Sequence, residues 1–115
     1  MNREDLKFTM SLRLFTEEKA FGPGIARLMA LVDELHSLNK AAAAMGMAYS
    51  KAWKILNESE KALGFSLLER HAGGSQGGGA SLTPQGRQIL ECYESFAAEA
   101  REAVEAVFEK YFRAP

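Results

Sequence analysis

Cysteine is almost missing from this 115-residue chain: Cys92 is the only one. A lone thiol cannot close an internal disulfide, so nothing calls for an oxidising compartment. One cysteine and two histidines also fall short of any zinc-ligand spacing. Long apolar runs are lacking. The longest, 28–32 and 41–45, are far below the roughly 20 residues that a membrane helix needs. The opening Met1-Asn2-Arg3-Glu4-Asp5 has no apolar signal core behind it. These absences lead to the expectation of a cytoplasmic protein with no membrane partner.

Neither sign of charge dominates, with 14 Lys/Arg against 15 Asp/Glu and a net charge of −1. The distribution is more informative than the total. Residues 1–35 are close to balanced. Residues 36–90 hold Lys40, Lys51, Lys54, Lys61, Arg70 and Arg87 against Glu58, Glu60 and Glu69, and residues 91–115 hold three bases against six acids. A basic centre and an acidic tail suit a chain whose middle faces phosphate and whose end turns away from it. Apolar residues at 47% and charged residues at 25% describe an ordinary single globular domain spanning 1–115.

Leu6, Phe8, Met10, Leu12 and Leu14 alternate with Lys7, Thr9, Ser11 and Arg13. A period of two predicts a half-buried strand over 6–15. Phe21-Gly22-Pro23-Gly24 breaks the chain, and Pro23 opens a helix over 23–36 with Ile25, Leu28, Met29, Val32 and Leu35 at helical spacing. Ser37 is a candidate N-cap for a short alanine-rich helix over 38–45. Gly46 lets the chain reverse before a longer helix over 49–63, which turns Ala52, Trp53, Leu56 and Leu63 inward and stops at Gly64. A glycine-rich hairpin follows over 66–83. Thr83-Pro84 then starts a last helix over 84–112. The expected fold is mainly α with a small antiparallel sheet: a winged helix-turn-helix plus a long C-terminal dimerisation helix.

A short helix, a three-residue glycine turn and a longer helix make the helix-turn-helix signature. Ala41 to Ala44 are small enough for the two helices to cross closely. The longer helix would be the recognition helix, entering the major groove with its N-terminal residues leading. Ser50, Lys54, Asn57 and Lys61 share one of its faces, with Lys51 and Glu58 beside them. Lysine donates to guanine, asparagine pairs with adenine, and serine suits a base or a phosphate. The hairpin would be a wing whose Arg70, His71, Ser75 and Gln76 reach the duplex while its glycines let the main chain approach phosphate.

The last helix carries Ile89, Tyr93, Phe96, Ala100, Val104, Val107 and Tyr111 at spacings of three and four. That stripe is wider than one packed helix in a small domain requires, so it is expected to face a second copy. The opposite face holds Glu91, Glu94, Glu99, Glu102, Glu105 and Glu109. A twofold homodimer would set two recognition helices about 34–36 Å apart, one turn of DNA.

Two other function classes compete with this reading. A winged-helix module that binds protein in place of DNA fits the near-neutral charge; its partner binding would not weaken with salt. An enzyme would need Cys92, His36, His71, or the pair Asp33 and Glu34. Neither histidine is near Cys92 in sequence, the adjacent acids point to different sides of a helix, and His36 suits the end of the first helix. No catalytic residue, metal ligand or cofactor is expected.

Phe21-Gly22-Pro23-Gly24, Ser37-Leu38-Asn39-Lys40-Ala41-Ala42, Gly46-Met47-Ala48-Tyr49-Ser50-Lys51-Ala52-Trp53, Leu68-Glu69-Arg70, the glycine run and Leu82-Thr83-Pro84-Gln85-Gly86 together resemble the DNA-binding domain of ModE-type molybdate-responsive regulators. The chain is similar, more distantly, to the LysR-type winged helix-turn-helix. The resemblance implies a bacterial transcription factor that dimerises through its helices and carries its N-terminal strand beside the wing. It implies that Tyr49, Ser50, Lys51 and Lys54 read or grip DNA, that the wing meets the backbone, and that Trp53 is core. The full expected DNA-binding set is Ser37, Asn39, Tyr49, Ser50, Lys51, Lys54, Asn57, Lys61, Arg70, Ser75 and Gln76. Ala48 stands where relatives carry a Ser or Thr cap, and Ser50 where they often carry a base. Relatives continue into barrels that bind molybdate; with the sequence ending at Pro115, no metal or oxyanion site is expected within it.

Overall fold

The computed structural model describes residues 1–71 and 79–113. After a 3-10 turn at Arg3–Asp5, its elements are β1 (Leu14–Phe15), β2 (Lys19–Phe21), α1 (Pro23–Leu35), α2 (Leu38–Ala44), α3 (Tyr49–Leu63), β3 (Leu68–His71), β4 (Gly79–Leu82) and α4 (Pro84–Phe112). Each helix starts and stops where local chemistry dictates. Pro23 takes the first turn of α1, and His36 closes it in the left-handed region at φ 57°, its N–H donating to the Val32 carbonyl. The Ser37 hydroxyl accepts the Lys40 N–H at 3.1 Å and caps α2. Gly46 at φ 69° makes the turn, and Gly64 at φ 84° ends α3. Ala48, lacking a side-chain oxygen, leaves α3 with no side-chain cap.

The core is built around α1. Phe21, Leu28, Met29, Val32, Leu56 and Leu67 are its largest fully buried side chains. Each contributes about 1.5–3 kcal/mol by leaving water. Ala41, Ala42 and Ala52 are also fully buried, so α2 and α3 meet through methyl groups at close range. Ser59 is the buried polar residue of α3, and its hydroxyl donates to the Ala20 carbonyl. That bond fastens β2 to the second half of α3.

The N-terminal segment differs from the expected strand over 6–15. Only Leu14 and Phe15 enter a ladder, with Phe21 and Lys19 as their partners across an irregular register. Residues 6–13 keep the alternation, apolar side chains half-buried and polar ones exposed, but they lie along α4 instead of along a sheet. The Tyr93 hydroxyl donates to the Leu12 carbonyl at 2.8 Å, the Phe8 and Phe108 rings are 5.1 Å apart, and the Arg113 guanidinium donates to the Leu6 carbonyl at 2.7 Å. A helix can take up the apolar side of an extended chain as a sheet does, so period two named the buried face and not its partner. The expected place of this strand beside the wing is corrected too. β1–β2 and β3–β4 are separate antiparallel pairs, and β2 packs on α3.

α4 is about 43 Å long at 29 residues. Thr83 caps it by accepting the Gly86 N–H at 2.9 Å, while its own hydroxyl donates to the Ser66 carbonyl at 2.6 Å. A Cβ at Gly86 would lie 2.3 Å from the Leu67 carbonyl oxygen, so glycine is what allows the helix to start this close to β3. Arg87 reaches Asp33 on α1 at 2.6 Å. The first turns therefore belong to the domain. Of two residues expected at a dimer interface, one is buried by the chain itself and the other is partly covered by it. Tyr93 is 7% exposed and packs edge-on against Phe21, and Ile89 is half-buried against the same core. Both sit on the part of the stripe that the chain itself covers.

Candidate nucleic-acid interface

α3 divides sharply. Ala52 and Leu56 point into the core, while Ser50, Lys51, Lys54, Asn57, Glu58 and Lys61 are exposed. The expected row is therefore one surface, running about 16 Å from Ser50 to Lys61. Glu60, the other acid of the helix, turns inward, and its carboxylate accepts the Leu67 N–H at 2.6 Å. Among the described residues no ion pair uses Lys51, Lys54 or Lys61. Amines not neutralised within the chain can displace counterions from a polyanion.

The first turn of α3 stands against the base of the hairpin. β3 and β4 pair in the register Leu68↔Leu82, Glu69↔Ser81, Arg70↔Ala80 and His71↔Gly79. The Ala80 N–H donates to the His36 carbonyl at 3.0 Å, tying the hairpin to the end of α1. Arg70 leaves β3 toward α3, and its guanidinium lies over the Trp53 ring at 3.3 Å. Tyr49 meets the same ring edge-on, centroids 6.2 Å apart. Between these parts lies a notch of about 290 Å³ lined in part by Ser37, Asn39, Tyr49, Arg70 and His71. His71 Nε2 is 2.8 Å from the Ser81 hydroxyl.

The structure thus sorts the sequence-expected residues into two groups. Ser50, Lys51, Lys54, Asn57 and Lys61 form the outward row of α3, and Ser37, Asn39, Tyr49 and Arg70 meet around the notch. Ser75 and Gln76 lie outside the described residues. Trp53, expected in the core, is half-buried and serves as the platform for Arg70. Sequence reasoning missed that pairing, because 17 positions separate the two residues and no helical or strand period links them. His71 was visible as a polar wing residue, but its place on the notch depends on the register of β3 with β4.

Glu58 shares the exposed face of α3 and Glu69 is exposed on β3; the larger group of acids lies on α4. Glu91, Glu94, Glu99, Glu102, Glu105 and Glu109 are all exposed along α4. Among the described residues, no group of three or more His, Cys, Asp or Glu side chains is placed to hold a metal ion, and no helix is long and apolar enough to cross a membrane.

The family of bacterial regulatory helix-turn-helix proteins of the lysR type matches residues 26–87. That span covers α1 from its second turn, α2, α3, the hairpin and the start of α4. The chain is 32% identical over 84 residues to the molybdenum transport protein ModE of Azotobacter vinelandii, an overlap of 73% of this chain and 31% of that protein. It is 31% identical over 96 residues to the transcriptional regulator ModE of Haemophilus influenzae, covering 82% of this chain and 36% of the relative. It is 30% identical over 97 residues to the DNA-binding transcriptional dual regulator ModE of Escherichia coli K12, covering 84% and 37%. The chain spans about a third of the length of the curated relatives it matches.

Proposed function

Because this chain belongs to the lysR family of bacterial regulatory helix-turn-helix proteins, we propose that it regulates transcription by binding specific sites on double-stranded DNA as a homodimer. The observation that carries this reading is the outward row of α3, in which Ser50, Lys51, Lys54 and Asn57 are exposed at the leading end of the second helix of the motif. A rod of that width enters the major groove, where Lys and Asn can pair with guanine and adenine edges. Lys61 lies on the last turn and fits a phosphate better than a base.

The second copy is argued from α4. Beyond Tyr93 the helix leaves its own core and presents Phe96, Val104, Val107 and Tyr111 to water, with Ala100 half-buried among them. Water-exposed apolar rows of this kind mark association surfaces. A twofold pair closes on itself and doubles the number of base contacts.

Selection of bound duplexes from a random pool tests this reading. The parent is expected to enrich a near-palindromic site, with binding that weakens steeply as salt rises. Lys51→Ala or Lys54→Ala should erase preference at one position if the lysine reads a base. Either should weaken all sequences alike if it grips phosphate. Enrichment of no site at low salt would sink the proposal, and a salt-insensitive protein partner would favour the interaction-module alternative.

A further inference from the structure

The link between α3 and α4 turns on one peptide group. α4 packs chiefly on α1 and β4, and it meets the end of α3 through the short stretch after Gly64. Leu67, fully buried, lies in that stretch. Its N–H donates to the Glu60 carboxylate of α3 at 2.6 Å. Its carbonyl accepts the Thr83 N–H at 3.0 Å. The Thr83 hydroxyl donates to the neighbouring Ser66 carbonyl at 2.6 Å and accepts the Gly86 N–H at 2.9 Å. Gly86 lies so close to the same Leu67 carbonyl that a Cβ would not fit. Both polar atoms of Leu67 are thus taken up, one by α3 and the other by the start of α4. A bond to a charged acceptor is roughly twice as strong as one between neutral groups. Among the described residues no ion pair competes for Glu60.

We propose that the Leu67 main chain is a joint that sets the angle between α3 and α4, and that Glu60 and Thr83 are positioning residues that select the spacing between the two half-sites on DNA. The proposal rests on the homodimer reading above. There α4 carries the contact between copies and α3 reads the groove, so the angle between them fixes how far apart the two α3 helices stand. Along the helix, Glu60 and Ser50 are about 15 Å apart. A tilt of about 6° at the Glu60 end moves the leading end by about half of the ~3.4 Å rise of one base pair, and two copies together make up the whole rise. Glu60 points inward and Thr83 is buried. They therefore choose spacing without touching a base.

The test uses the full chain and duplexes that carry the parent's selected half-sites at its own spacing and at spacings shorter or longer by one base pair. The parent is expected to prefer one spacing. Glu60→Ala frees the Leu67 N–H and should lower that preference about tenfold, while the bases selected within each half-site stay those of the parent. Glu60→Gln keeps an oxygen at the same reach and should keep the parent's spacing. Glu60→Asp keeps the charge but falls short, and should lower the preference as alanine does. Thr83→Val should lower it and Thr83→Ser should keep it. Amide exchange at Leu67, faster in Glu60→Ala, reports that the bond is lost. Faster exchange with an unchanged spacing profile would mean that the bond serves stability alone, and overturns the proposal. So does a changed base preference with the spacing kept. Should Glu60→Ala fail to fold, a parental spacing profile in Glu60→Asp overturns it. A parent that selects a paired site, with variants that keep its spacing, strikes this proposal alone. A parent that selects only single half-sites strikes the homodimer reading and takes this proposal with it.

Discussion

Set side by side, α3 shows water a row of amines and amides, whereas the second half of α4 shows it Phe96, Val107 and Tyr111 at 48%, 55% and 66% exposure. Both helices are amphipathic; α3 ends at Gly64 and α4 begins at Thr83-Pro84, each for a plain local reason. They differ in how far the core follows them. α1, α2 and β2 together cover Ala52, Leu56 and Ser59 of α3, and apart from Tyr49 and Trp53 at its start what remains outside is polar chemistry that water satisfies. The core leaves α4 soon after Tyr93. Past that point the N-terminal segment covers one side of the helix, and the adjacent apolar row stays open. An exposed polar row fits a charged partner; an exposed apolar row fits another apolar surface. The acids along α4 sharpen the division, since they would repel the phosphates that the lysines of α3 attract.

The comparison can be broken at its strongest point first. Leu56 is the fully buried anchor of α3, and Leu56→Ala should cost about 2–5 kcal/mol in denaturant unfolding. A loss under about 1 kcal/mol would mean that α3 is not seated as described. Val107→Glu attacks the exposed row of α4. It should shift a dimer to a monomer by at least about tenfold in dissociation constant, seen by sedimentation, with the helical circular-dichroism signal kept. A variant that still sediments as the parent removes this row from the interface.

Tyr93 marks the border between the two halves of α4. Tyr93→Phe deletes the bond to the Leu12 carbonyl and should cost about 0.5–1.5 kcal/mol. Burial raises the Tyr93 pKa above its ordinary value. The neutral phenol is thus the form favoured by folding. Its contribution is complete below the unfolded value of about 10 and is lost as pH rises through the folded value. The parent should lose stability above pH ~10 more steeply than Tyr93→Phe; parallel alkaline limbs would contradict the buried phenol.

The smallest effect is expected at Asp33. Its hydrogen bond from Arg87 lowers its pKa, with burial opposing and the charge of Arg87 adding. A depressed carboxylate contributes above its unfolded value of about 3.9 and loses that contribution as pH falls through the folded value. Both side chains are close to half exposed, so solvent screens the pair. Asp33→Asn should flatten the acid limb of the stability profile and change little at neutral pH; a steeper acid limb in the variant would reverse the assignment.

Much of this molecule was legible from residue order. The bounds of α3 and α4 were readable because Gly46, Gly64 and Thr83-Pro84 act locally, each through the backbone within a few residues. The outward row from Ser50 to Lys61 followed from helical spacing alone. The N-terminal strand was half legible: alternation marked Phe8, Met10 and Leu12 as the inward side but could not say that a helix would receive them. The stripe on α4 was legible as a stripe, while its division between Tyr93 and Phe96 depended on where the core ends. The notch was not legible at all. Its residues come from the end of α1, the start of α2, the start of α3 and the hairpin, and the stack of Arg70 on Trp53 has no periodic trace.

The sequence by itself determined which segments are helical, where they are capped and which faces are apolar, because those properties depend on neighbours within one or two turns. Only the tertiary structure decided what each apolar face meets, and which distant donors gather at one corner. Those outcomes depend on how far a finite core extends and on the register between strands, and neither is encoded in any single stretch of chain.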